Sequence, residues 1–284
     1  MNEQKKSEIG LIEAQETVKP WDMRNWIEDD TWAIDLPLDF GRKKGQTCRG
    51  AKLFTKVDGE LCKKIRLFAS AGNATEYMIL QSAVFILLSK YSRQDCIVIG
   101  SSMDGSAVID SAMRAMPEGK KLYCDFLQEM HGNCLKIHES MLCQLSTVIT
   151  FRRSKQSINS FSEVASQACD SQKSVAEFDL KFDFDICSDG YIFELKYNAD
   201  LFARENIAYM QEHYISILQQ IMENPGARLL EFQAVTVQEK SLILGSFNNT
   251  AREYPREKTI AQLFEEQVCK TPKATAVVYE DESL

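Results

Sequence analysis

Phe178-Asp179-Leu180-Lys181-Phe182-Asp183-Phe184-Asp185-Ile186 runs into Cys187-Ser188-Asp189-Gly190 and then Tyr191-Ile192-Phe193-Glu194-Leu195-Lys196-Tyr197. In the first run Phe178, Leu180, Phe182, Phe184 and Ile186 alternate with Asp179, Lys181, Asp183 and Asp185. In the second, Tyr191, Phe193, Leu195 and Tyr197 alternate with Glu194 and Lys196. Side chains of a strand point to opposite faces with period two, and Asp-Gly is a hairpin turn signal. The pattern predicts a β-hairpin with one aromatic face packed on helices and one charged, wet face.

Helical signals lie on both sides of the hairpin. Upstream, Ala51 to Val57 reads as a strand, and Asp58 to Ala71 carries Leu61, Ile65 and Phe68 at helical spacing. Asn73-x-x-Glu76 is a capping-box signal for a helix to about Tyr91. That helix is apolar almost all round, so it must be buried on several sides. Asp95 to Gly100 reads as a short buried strand, Leu122 to Ile137 as a helix, and Thr147 to Phe151 as a strand. Downstream, Ile207, Met210, Tyr214, Ile217, Leu218 and Ile221 form one stripe of a helix over 204–222, stopped by Asn224-Pro225-Gly226. Thr236-x-x-Glu239 and Thr259-x-x-Gln262 start two more helices, each cap worth about 1 kcal/mol. Between them, Phe247 to Lys258 is polar and reads as a linker. Ala274 to Tyr279 begins a strand. Trp21, Trp26 and Trp32 suggest an amphipathic segment, and residues 1–20 read as disordered. The layout is α/β, in the α+β sense of a mixed sheet with helices.

Composition narrows the function. The 284 residues carry 33 Lys and Arg against 41 Asp and Glu, a net charge of −8, which argues against nucleic acid as a partner. No signal peptide or membrane-length apolar run is visible, so a cytoplasmic location with no membrane partner is expected. The nine cysteines include no Cys-x-x-Cys pair, and free thiols in a reducing compartment fit them.

The chemistry-bearing residues assemble no active site in the sequence. The histidines are His131, His138 and His213, and none has an acid at a spacing that would orient it as a base. Cys134 and His138 stand at i, i+4, a spacing that a cysteine nucleophile with its base could use, but a chance pairing is the better reading. Asp104-Gly105 and Asp189-Gly190 read as turns. Asp179, Asp183 and Asp185 read as a solvated strand face, and no phosphate loop of known spacing occurs. No catalytic, cofactor-binding or metal residue is assigned.

The C-terminal part carries a denser signature. Phe247-Asn248-Asn249-Thr250, Tyr254-Pro255, Thr259-Ile260-x-x-Leu263-Phe264-Glu265-Glu266-Gln267 and Thr271-Pro272-x-Ala274-x-Ala276-Val277 resemble the junction between condensation and adenylation domains of nonribosomal peptide synthetases. Leu36-Pro37-Leu38-Asp39, Gln46-Thr47-x-Arg49-Gly50, Gln94-Asp95-x-Ile97-Val98-Ile99-Gly100, Phe178-Asp179-Leu180 and Tyr197-Asn198-x-Asp200-Leu201-Phe202 are similar to the second half of condensation domains. The resemblance implies one lobe of a chloramphenicol acetyltransferase-like fold plus a linker. It implies residues 21–223 as the C-terminal lobe, 224–258 as the linker and 259–284 as the start of an adenylation domain. It also implies adenylation and peptidyl carrier domains as partners. ATP with Mg2+ and phosphopantetheine would belong to those neighbours, and no cofactor is expected in this segment.

The departures bear on activity. The family signature His-His-x-x-x-Asp-Gly occurs nowhere in this sequence, and the half that carries it is expected to be missing. The family's Val-Asn-Thr and Gln-Asp-Tyr-Pro-Phe-Glu-like tracts find no counterpart in Ser101 to Leu122 or Glu139 to Gln144. The Arg-Asp-x-Ser-Arg tract is reduced to something like Arg152-Arg153-Ser154. The expectation is a degenerate half condensation domain serving as a structural platform. The alternatives are half of a split condensation domain that forms amide bonds with a partner chain, and a carrier-binding module. A lone second lobe is also expected to leave its inter-lobe face either unusually apolar or turned polar by substitution.

Overall fold

The computed structural model describes residues 33–42, 49–57, 59–72, 74–102, 109, 111–132, 134–136, 145–155, 157–158, 178–253, 255–280 and 282–283. The tryptophans, residues 1–20, the Asn73 cap, Asp104 and His138 lie outside these. The chain divides after Thr236 into two compact units.

The first unit is a seven-stranded mixed sheet with helices on one face. Its elements run β1 (Gly50–Val57), α1 (Gly59–Ala71), α2 (Glu76–Ser92), β2 (Ile97–Ser102), β3 (Ser111–Ala115), α3 (Tyr123–Glu129), β4 (Cys134–Lys136), β5 (Thr147–Arg153), β6 (Leu180–Ile186), β7 (Tyr191–Asn198) and α4 (Arg204–Glu223). Strand order is β1-β7-β6-β5-β2-β3-β4. The pairs β2–β5 and β5–β6 are parallel and the others antiparallel.

The hairpin forms as its alternation predicts. Leu180, Phe182, Phe184 and Ile186 face the same side as their cross-strand partners Tyr197, Leu195, Phe193 and Tyr191, and all eight are buried. Phe184 and Phe193 stack at 4.9 Å, and Tyr214 of α4 tilts against Phe193 at 4.7 Å. Each ring removes a large apolar area from water, worth roughly 1.5–3 kcal/mol in transfer terms. Phe178 departs from the pattern. It lies before β6 and packs instead with a small cluster of Val98, Ile109, Ala112, Leu145 and Val148.

Helix α2 is the buried helix that the sequence demands, with ten consecutive residues from Ile79 to Leu88 inaccessible. Its N-cap is Thr75, whose hydroxyl accepts from the Met78 N–H at 3.2 Å. It ends at Arg93, in the left-handed region at φ 58, whose N–H returns to the Ser89 carbonyl.

Three expectations are corrected. The helix expected over Leu122–Ile137 stops at Glu129; a 3-10 turn, Met130–Gly132, follows, and Cys134–Lys136 pairs with β3 as a strand. The helical stripe is interrupted at Gly132, where the 3-10 turn ends. Residue 224, the expected start of the linker, is not a boundary between the units. Residues 224–236 stay with the first unit, where Ala227, Leu229 and Phe232 are buried in its core. Leu229 and Leu230 donate backbone hydrogen bonds to Lys121 and Gly119. The strand expected over Ala274–Tyr279 is only Val278–Tyr279, paired with Glu282–Ser283.

The second unit holds α5 (Val237–Ser241), which starts directly after Thr236 and continues as a π-helical stretch over Leu242–Phe247. It also holds α6 (Ile260–Lys270), where Thr259 and Gln262 cap reciprocally in a complete capping box.

Candidate functional site

The sheet has two unlike faces. The face bearing the hairpin aromatics is buried under α1, α2 and α4. The opposite face is called the open face here. Cross-strand register places its side chains in rows: Lys52, Lys196, Lys181 and Val148 in one, Phe54, Glu194, Asp183 and Thr150 in the next, and Lys56, Ile192, Asp185 and Arg152 in the third.

Like charges opposite one another on neighbouring strands repel, and this face places three lysines in one row and two carboxylates in the next. Diagonal ion pairs offset the repulsion. Lys196 reaches Asp183 at 2.5 Å and Glu194 at 3.4 Å, and Lys52 reaches Glu194 at 2.8 Å. Lys181 lies 3.8 Å from Asp183. Asp183 also accepts from the Thr150 hydroxyl. In the third row, Arg152 makes a two-pronged contact with Asp185.

This overturns the expectation of a wholly wet face, because Asp183 is buried. Burial opposes the charge on Lys196, but the hydrogen bond and charge of Asp183, with Glu194, raise its pKa above the ordinary lysine value. The hydrogen bond from Arg152 to Asp185 likewise raises the Arg152 pKa.

The other sequence candidates scatter. His131 is exposed in the 3-10 turn. His213 is buried in the helix layer, its Nδ1 2.7 Å from the Tyr91 hydroxyl. Cys134 lies on β4, not on a helix, and His138 lies outside the described residues. Asp179 is paired with Arg42. Asp189 accepts from the Ser157 hydroxyl and from the Ile158 N–H, and these bonds hold its carboxyl below the usual range. Among the described residues, no three His, Cys, Asp or Glu side chains group to hold a metal, and no helix is long and apolar enough to cross a membrane.

A second polar cluster has no forewarning in the sequence. The Tyr191 hydroxyl donates to Glu76 at 2.6 Å, and Arg66 lies 3.4 Å from the same carboxylate. Arg66 also donates to the carbonyls of Cys187 and Ser188 in the hairpin turn and lies over the Tyr191 ring. It ties α1, α2 and the hairpin together.

The mixed sheet with helices on one face is one lobe of a chloramphenicol acetyltransferase-like fold, the fold of its solved structural neighbours. A family model described as condensation domain matches residues 21–106 and 134–244, and the chain belongs to that family. It is 29% identical, over 92% of its length, to bacitracin synthase 2 of Bacillus licheniformis, and 31% identical over 91% to tyrocidine synthase 3 of Brevibacillus parabrevis. It spans only 11% and 4% of those proteins. Among solved structures, it is similar to a four-domain nonribosomal peptide synthetase bound to AMP and glycine, with TM-score 0.65 and 14% identity over 89% of this chain and 22% of that one. It is also similar to the X-domain seen in complex with OxyB from teicoplanin biosynthesis, with TM-score 0.60 and 18% identity over 75% of this chain and 54% of that one.

Proposed function

We propose that this chain is a segment of a nonribosomal peptide synthetase of peptide biosynthesis, a degenerate half condensation domain that supports an adenylation domain without forming amide bonds. The observation that carries this reading is the pairing on the open sheet face. Each of its carboxylates, Asp183, Asp185 and Glu194, is held by cations of its own or neighbouring strands. Deprotonating an attacking amine needs a positioned base within reach of the substrate. The His213 imidazole lies buried in the helix layer, engaged with Tyr91.

Further support comes from residues 107–133, which fall between the two blocks matched by the family model, and from the similarity to peptide synthases. Adenylation and carrier domains are the partners on this reading. ATP with Mg2+ and phosphopantetheine serve those domains, and a cytoplasmic location follows from theirs. A second reading, an interaction module, is favoured by the X-domain, a structural neighbour found in complex with another protein.

The test is to incubate the purified chain with two carrier-bound aminoacyl thioesters and look for the amide by mass spectrometry. None is expected, and formation of the dipeptidyl thioester would overturn the proposal. In the synthetase, His131→Ala and His213→Phe are expected to leave product formation unchanged. For the interaction module, capture of aminoacylated carrier protein by this chain would favour that role over the platform.

A further inference from the structure

The open face shows an arrangement in depth as well as in rows. The carboxylates lie inside, with side chains of Asp183, Asp185 and Glu194 exposed by 10%, 13% and 18%. Three of the cations lie outside, with Lys52 and Lys196 at 42% and Arg152 at 57%, while Lys181 lies deeper at 24%. The carboxylates are pinned near the backbone, and the long cationic side chains lie across them with their heads in water.

Two sheets or lobes that stack must interdigitate apolar side chains about 10 Å apart. Here such a partner would strip water from Lys52, Lys196 and Arg152, whose counter-charges are already supplied from within the sheet. An apolar partner face would supply no new ion pair in return, and desolvating charges is unfavourable unless new partners offset it. Natural sheets use inward-pointing and edge charges in this way to refuse unwanted pairing.

We propose that the two-row ladder on β1, β6 and β7 is a docking block that keeps this part of the open face in water and bars a second α/β lobe from stacking on it. This rests on the reading of the chain as a single lobe and adds to it a partner that the surface refuses.

The first test is lysine acetylation of the full chain, followed by mass spectrometry, alone and within the synthetase. Lys52 and Lys196 are each expected to react at the same rate in the synthetase as in the free chain, with Lys63, an exposed lysine of α1, as the internal reference. Protection on the order of tenfold or more in the synthetase would overturn the block. The second test replaces the ladder by threonine at Lys52, Lys181, Asp183, Glu194 and Lys196. The folded variant is expected to gain concentration-dependent self-association over the wild type in sedimentation. A folded variant that sediments as the wild type does would overturn the proposal, and if the variant does not fold, the acetylation result decides alone. Protected lysines without amide formation would remove the block and leave the platform reading standing. Amide formation with reactive lysines would do the reverse.

Discussion

The Tyr191 hydroxyl and the Glu76 carboxylate meet at 2.6 Å across 115 residues of chain. Tyr191 opens the return strand of the hairpin and Glu76 opens the buried helix α2, so one hydrogen bond ties the sheet to the helix layer. Tyr191→Phe deletes the donor and leaves Glu76 with Arg66 at 3.4 Å. A hydrogen bond to a charged group is worth about 2 kcal/mol. The variant should lose that much stability in urea unfolding, and Glu76→Gln, which keeps an acceptor but no charge, should lose less.

High pH should unfold the protein. Burial raises the pKa of Tyr123, Tyr191 and Tyr214 above the ordinary value of 10.0. Above about pH 10 the unfolded chain releases these protons while the folded chain retains them. Stability is therefore fully present below pH 10 and falls as pH rises beyond it, by up to about 1.4 kcal/mol per pH unit for each group. Urea unfolding at pH 8, 9, 10 and 11 should show the decline beginning near pH 10. Absorbance at 295 nm should show part of the nine tyrosines ionising only with unfolding.

The hairpin was legible because period two reports itself locally, one residue at a time. The depth of Asp183 was not. Alternation tells which face a carboxylate takes, but not that Thr150, from a strand 33 residues earlier, would cover it. The same reason hides the Tyr191–Glu76–Arg66 cluster, whose members come from three elements. The expected helix over Leu122–Ile137 failed because Phe126, Leu127, Met130 and Cys134 keep a helical spacing across Gly132. The burial of 224–236 was not legible because Ala227, Leu229 and Phe232 share no regular period. As for the site, whether a His-His-x-x-x-Asp-Gly string stands in this sequence can be read directly, whereas the rows of the open face exist only once the strand register is known.

The aromatic stack should dominate core stability. Phe193 lies 4.9 Å from Phe184 and 4.7 Å from Tyr214 and is inaccessible. Phe193→Ala removes these contacts and opens a cavity, for a cost of about 3–5 kcal/mol. Phe264→Ala, at an exposed position of α6, should change stability by less than about 0.5 kcal/mol. Thermal and urea unfolding of the two variants would check the contrast.

Gly100 is held by lack of space. A β-carbon there would sit 2.9 Å from Leu145 Cδ1, 3.0 Å from Ile109 Cγ2 and 3.1 Å from Val148 Cγ2. Gly100→Ala should therefore cost about 1–3 kcal/mol through overpacking of the small cluster beside the ladder. Since the obstructing atoms are side-chain ends, adding Val148→Ala should recover part of the loss, and equal stability of the single and double variants would refute the packing cause.

Asp183 is the node of the ladder, and its removal should be felt by its partners. Asp183→Asn keeps an acceptor for the Thr150 hydroxyl but withdraws the charge that faces Lys196 and Lys181. The cost should be about 1–3 kcal/mol, since buried positions tolerate loss of a charge-assisted bond poorly. Lys196 holds its proton more strongly in the folded chain than in the unfolded one. Its contribution is thus present below about pH 10.5 and is lost as pH rises through the folded value. In Asp183→Asn the Lys196 pKa should fall, followed by NMR of a selectively labelled lysine. In a double-mutant cycle with Lys196→Met, the coupling should come to about 1 kcal/mol, discounted because the lysine head is part-exposed, and should shrink in high salt. An unchanged Lys196 titration together with zero coupling would mean that the ladder is a crowd of separate surface charges rather than a network anchored at a buried carboxylate.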